Sequence, residues 1–289
     1  MDSDHKFCKQ KQSFDGHVDM RSTPITASRR EIMLQMDVVV DHVFGKKIVN
    51  LPNKRKRKEE ALTFWKKRSI FFTLLYWEDH VLRHNHDVMH IEKNAVDNII
   101  GTLLSLDGKT NDNLKAYQDL KDMGIRSELH LEKVGNDQTR MPHACYHMNV
   151  SEKDGFLQVL KDVRVPDGYS SNILCCVKLK ERKISGMKSH DNYILIQQLF
   201  LIAIRRSLPL EVSISLIDLS CFFREICSKV LNADELRALK KRIAVTLCEL
   251  ERIFPPSIFT VMVHLVMHLT SEAKVTGPVH YRWMYPIER

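Results

Sequence analysis

Apolar residues return every three or four positions through much of this chain, a spacing that predicts a mainly helical protein. Val88, Ile91, Ala95, Ile99 and Leu103 share one face, predicting a helix over 88–106. Upstream, Ser28 and Glu31 make a capping box ahead of Ile32, Leu34, Met36 and Val39, predicting a helix to about Phe44 that Gly45 closes. Residues 59–67 suit a short helix, whereas SIFFTLLYWEDHVLRH (69–84), rich in aromatic and branched residues, reads as strands. Helices are also predicted over 110–123, stopped by Gly124, and from a Ser151 cap to Asp162. From Ser189 helix follows helix: 189–207, 211–231, then one boxed by Asn232 and Glu235 that runs to Phe254. Pro255-Pro256 interrupts the series, and a last helix over SIFTVMVHLVMHLTSEAKV ends near Gly277-Pro278.

This pattern divides the chain into three parts. Residues 1–58 hold an irregular arm, a helix and a basic loop; 59–166 are mixed α and β; 167–289 are helical, with the turn VPDGYSSN at the boundary near Asp167. The fold class is mainly α with an α+β portion, and no repeat of fixed period is present.

At 289 residues, 44% hydrophobic and 28% charged, the chain is long enough for a real core and fits a folded protein. No stretch approaches the roughly 18 to 20 apolar residues of a membrane span. The opening MDSDHKFCKQ lacks a signal peptide's apolar core, so neither a membrane partner nor export is expected. Seven cysteines without a C-x-x-C pair give little support to a disulfide framework or a four-cysteine zinc site, and fit a reducing compartment.

A net charge of +8 favours an anionic partner, nucleic acid first. Between Lys46 and Lys58 stand seven Lys or Arg and no acid. Within that run, Lys54, Arg55, Lys56, Arg57 and Lys58 read as a nuclear-import signal or a phosphate-binding patch; the plain alternative is a solvated loop.

Three constellations could carry chemistry. Asp87-x-x-His90 places a carboxylate and an imidazole on one side of a first helical turn, where oxygen and nitrogen ligands suit zinc or a harder divalent ion. Asp87 can equally serve as a helix cap. His264-x-x-x-His268 points two imidazoles the same way from a helix that reads as apolar all round and hence buried. Core hydrogen bonds would satisfy both rings as well as a metal would. Ser189-His190-Asp191 are sequence neighbours on a helix and form no triad by themselves. G-x-S-x-G, P-loop and G-x-G-x-x-G motifs are absent.

Longer phrases carry a resemblance. SIFFTLLYWEDHVLRHNHDVMHIEKNAVDNIIGTLLSLDGKTNDNLKAYQDLKDMGIR resembles the core of plant En/Spm-like (CACTA) transposases. DGYSSNI, KISGMKSHD, LCELERIFPPSIFTVMVHLVMHL and GPVHYRWMYPIER resemble the domain of unknown function that accompanies that core. The resemblance implies descent from a cut-and-paste DNA transposase with an RNase H-like core, whose acidic triad binds two divalent ions for attack on phosphodiesters. It makes Asp87 and His90 candidates for a C/D-x-x-H metal element, with His264 and His268 as further metal ligands. Glu288 becomes the candidate last catalytic acid, with Glu251 as fallback.

Asn192 stands where that family has a cysteine, and the early catalytic aspartates would precede residue 1. The expectation is therefore a degenerate fragment, inactive alone, nuclear, with residual DNA binding and no certain cofactor, a Mg or Zn ion being expected only if the site is retained. A second reading is a helical interaction module that docks a protein partner, such as an intact transposase, with the basic run serving import. An active nuclease completed by a partner chain is a third.

Overall fold

The computed structural model describes residues 5–14, 16–18, 25, 27–37, 69–82, 85–135, 138–164 and 173–282. The basic run Lys54–Lys58, the helix expected over 59–67 and Glu288 lie outside them. The chain falls into two compact units, Thr23–Asn85 and the remainder, Met1–Ser22 with His86–Arg289.

In the smaller unit, α1 spans Arg29–Asp37. The capping box forms as its sequence predicts: the Ser28 N–H donates to Glu31 Oε2 (2.6 Å) and the Glu31 N–H to Ser28 Oγ (3.2 Å). The strands expected over 69–84 do not form in the described residues 69–82. Ser69 caps a 3-10 turn at Ile70–Thr73, and further turns follow. Phe71 stacks on Trp77 with centroids 5.0 Å apart. The aromatic content that suggested strands is used in this local stacking, which needs no second strand.

The larger unit is mainly helical. Its helices are α2 (Val88–Leu103), α3 (Leu114–Asp122), α4 (Val150–Asp162), α5 (Ile173–Cys176), α6 (Ser189–Ile194), α7 (Phe200–Ala203), α8 (Leu210–Ile226), α9 (Ala233–Ile253) and α10 (Val261–Thr276). Sheet structure among the described residues is limited to two antiparallel hairpins, β1 (Glu132–Val134) with β2 (Gln138–Arg140) and β3 (Val177–Lys178) with β4 (Lys183–Ile184).

Local capping chemistry sets most boundaries. Asn113 starts α3 by accepting from the N–H groups of Lys115 and Ala116. Asn149, two residues ahead of the expected Ser151, caps α4 in a reciprocal box with Glu152. Asn232 caps α9, Pro255 and Pro256 end it, and Gly277, at φ 80°, closes α10.

One hydrophobic core runs through this unit, drawing Ile99, Leu103, Tyr117 and Phe156 from one side of Asp167 and Phe200, Phe223, Leu250 and Val266 from the other. Each such side chain contributes roughly 1.5–3 kcal/mol on burial. Two close approaches lock this core, one at the end of α2 and one at the end of α9. The segment after α2 turns back across it, so that the Leu106 N–H donates to the Gly101 carbonyl (2.8 Å). A Cβ on Gly101 would lie 2.4 Å from the Lys109 carbonyl oxygen.

Arg126 makes the second. Its backbone is left-handed (φ 53°), and its buried side chain donates to the carbonyls of Glu251 (3.2 Å), Ile253 (2.7 Å) and Phe254 (3.3 Å) and to Glu128 (2.8 Å). Those carbonyls end α9 and have no helical partner ahead of them, so one guanidinium satisfies a helix terminus.

Between α6 and α7 the chain forms a π-helical turn, Leu195–Leu199. Ser220 of α8 donates its hydroxyl to the Ile196 carbonyl that this turn leaves without its α-helical partner.

Candidate functional site

Asp87 and His90 stand at the start of α2. Asp87 is the N-cap, its carboxylate accepting the backbone N–H of His90 at 3.2 Å. The His90 side chain is exposed. That carboxylate thus serves the role the plain alternative assigns, holding the positive end of α2.

His264 and His268 are brought together, but not in the core. The apolar-all-round reading of α10 is corrected: Val263, Val266, Leu269, Thr270 and Ala273 face inward, and both histidines are exposed. Their Nε2 atoms lie 3.3 Å apart. Tetrahedral zinc with Zn–N bonds of about 2.0–2.1 Å would hold two nitrogens at about this separation. A hydrogen bond between one neutral donor ring and one acceptor ring also fits it. Among the described residues no group of three or more His, Cys, Asp or Glu is placed to hold a metal ion. Asp87, His90, His264 and His268 therefore do not assemble as a four-ligand set there. No reaction step through a metal follows from the described residues.

The partner that does meet the α10 histidines is His86, one residue ahead of Asp87. Its ring stacks on that of His268, centroids 6.3 Å apart and planes 20° from parallel. Its backbone N–H donates to Glu272 Oε2 (3.1 Å), and its Nδ1 makes a close contact with Glu272 Oε1. Glu272 is 4% exposed, so its carboxyl group has left water and depends on such partners.

The polar track continues inward. Arg282 is electrostatically coupled to Glu272 and to Cys227. Cys227, at the end of α8, is buried, and burial first and the charge of Glu92 second push its thiol well up. Gln197, in the π-helical turn, donates to Glu92 Oε1 at 2.7 Å. Polar groups thus run from two exposed imidazoles through His86 and Glu272 to the half-buried Arg282 and the buried Cys227, Gln197 and Glu92. The His86–Glu272 bonds tie α10 to the start of α2, and the Gln197–Glu92 bond ties α2 to the π-turn.

His86, Glu272, Glu92, Gln197, Cys227 and Arg282 escaped the sequence reading. One signal was available: His264, His268 and Glu272 repeat at four-residue intervals, a polar stripe along one side of an otherwise apolar helix. Glu251, the fallback acid, offers its carbonyl to Arg126.

The His268 pKa is lowered, by burial first and then by the neighbouring His264 and His86, with Glu272 opposing and Lys240 adding slightly. A base whose folded pKa is depressed binds fewer protons than its unfolded form. Its stabilisation is present above the unfolded value, near 6.5, and is lost as pH falls through the folded value. Chemical denaturation between pH 7.5 and 5 is expected to show declining stability on acidification, less in His268→Gln than in the wild type. Equal slopes for the two proteins would dismiss this role of His268.

Comparison with known proteins bears on the same region. Residues 226–289 match the model of a domain of unknown function, DUF4218. That domain is known from transposase-related proteins. It contributes Cys227, His264, His268, Glu272 and Arg282, whereas His86, Glu92 and Gln197 lie upstream of it. No curated protein and no solved structure matches the chain.

Proposed function

We propose that this chain is a transposon-derived, nuclear, DNA-associated protein of En/Spm-like (CACTA) transposase descent, contributing DNA binding rather than strand cleavage by itself. The match of residues 226–289 to a domain known from transposase-related proteins carries this reading. The net charge of +8 and the run Lys54–Lys58 support it, since phosphate neutralisation needs clustered Lys and Arg. The use of the Asp87 carboxylate as a helix cap supports a non-catalytic role for that corner. Among the described residues no helix is long and apolar enough to cross a membrane.

The expected behaviour is duplex binding that collapses with salt. If the five residues Lys54–Lys58 supply about five phosphate contacts, affinity should fall roughly 10²- to 10³-fold between 50 and 200 mM salt. Replacing all five by alanine should remove most of that dependence, as measured by fluorescence anisotropy of a labelled duplex. No binding of the wild type at 50 mM salt would overturn the proposal. It would favour a helical protein-interaction module instead, with the basic run acting only in nuclear import. Leu210 and Ile214, exposed one turn apart on α8, would then be the first residues to test.

A further inference from the structure

The β3–β4 hairpin sets like charges against each other. Val177 and Ile184 pair across it and are both 3% exposed, fixing the hairpin to the core. The next pair outward is Lys178 opposite Lys183, two ammonium groups on one face, an arrangement that costs stability in an isolated sheet. Lys180 stands exposed in the connecting turn, where Arg182 adopts a left-handed backbone (φ 47°).

More cations converge there. Lys109 donates to the Ile184 carbonyl at 3.4 Å, and Lys153 of α4 is close enough to sense the charge of Arg182. Against these six cations stand three carboxylates. Asp154 takes Arg182 through two bonds (2.7 and 3.0 Å), Glu181 pairs with Lys183, and Asp97 faces Lys109. Lys178 and Lys180 make no ion pair among the described residues, although Glu181 is near enough to sense the charge of Lys178.

We propose that this hairpin is a phosphate-contacting surface, with Lys178, Lys180 and Lys183 gripping the backbone of duplex nucleic acid independently of Lys54–Lys58. Glu181 relieves only part of the Lys178–Lys183 repulsion, a phosphate between them would relieve the rest, and a two-residue strand pair offers little scope for reading bases. Binding here is therefore sequence-independent and screened by salt. The inference rests on the DNA-associated reading above, yet it is tested separately from it.

The test compares the wild type, a Lys178→Gln/Lys180→Gln variant and the Lys54–Lys58 alanine variant on one labelled duplex over 50–200 mM salt. The hairpin variant is expected to bind roughly 10- to 60-fold more weakly near 100 mM, with the slope of log affinity against log salt shallower by about two. Its melting temperature should stay level or rise, because one like-charge neighbour is gone; a structural role for these lysines would lower it. A wild type that binds and a hairpin variant with the same slope would overturn this inference and leave the proposed function standing. A wild type that binds no duplex would overturn both. Tighter binding of a poly-glutamate of matched charge than of the duplex would overturn nucleic acid as the occupant.

Discussion

Arg126→Ala should destabilise the larger unit by about 2–4 kcal/mol, the scale of leaving buried carbonyls without their charged donor. The loss has two parts. The carbonyls of Glu251, Ile253 and Phe254 lose the donors that satisfy the end of α9, and Glu128 loses its cation. Arg126→Gly should be milder by about 1 kcal/mol, because glycine adopts the left-handed φ of 53° without the steric cost an alanine carries there. Arg126→Lys retains the charge but not the fork that reaches three carbonyls, and should fall between wild type and alanine. Urea unfolding followed by far-ultraviolet circular dichroism measures all three. A loss below about 1 kcal/mol for alanine, or glycine worse than alanine, would show that the guanidinium is not what holds this helix end.

Gly101→Ala is expected to act against the usual direction. In an open mid-helix position the change stabilises by about 0.5–1 kcal/mol. Here the new methyl would lie 2.4 Å from the Lys109 carbonyl oxygen and 2.9 Å from its carbon, both backbone atoms. The segment 104–110 is held against α2 by the Leu106–Gly101 bond and by the contact of Thr102 Oγ1 with Thr110 Oγ1 (2.9 Å), so it cannot yield cheaply. A destabilisation of about 2–3 kcal/mol follows, the scale of overpacking in a fixed site. Unchanged or increased stability in the same assay would mean that the segment after α2 is free to lift away.

These two positions show where sequence reading succeeds and where it stops. The Ser28–Glu31 box, the Asn232 cap, the Pro255-Pro256 break and the Gly277 stop were legible because each acts within a few residues of itself. The apolar stripe of α2 was legible because its period lies within the chain. Arg126 was not, since the three carbonyls it serves sit 125 to 128 residues away and nothing in DMGIRSELH announces them. The same holds for His86, whose partner Glu272 is 186 positions downstream. Residues 69–82 failed for the opposite reason: their aromatic richness suggested long-range pairing, while a local Ser69 cap and ring stacking decided the structure. For the candidate site, the α10 histidine pair was legible from spacing, but its exposure and the buried carboxylate beneath it depend on which face α10 turns inward.

The π-turn at Leu195–Leu199 gives the segment 189–203 a phase shift. One additional residue in the turn rotates everything after it by about 100° relative to a continuous α-helix. Helical-wheel bookkeeping that starts at Ser189 therefore misplaces Phe200 and Ala203, both buried, by one position. Removing a single residue from this turn would restore the uninterrupted helix and swing Gln197 away from Glu92. In this stretch the number of residues, as much as their identity, determines which side chains the core receives.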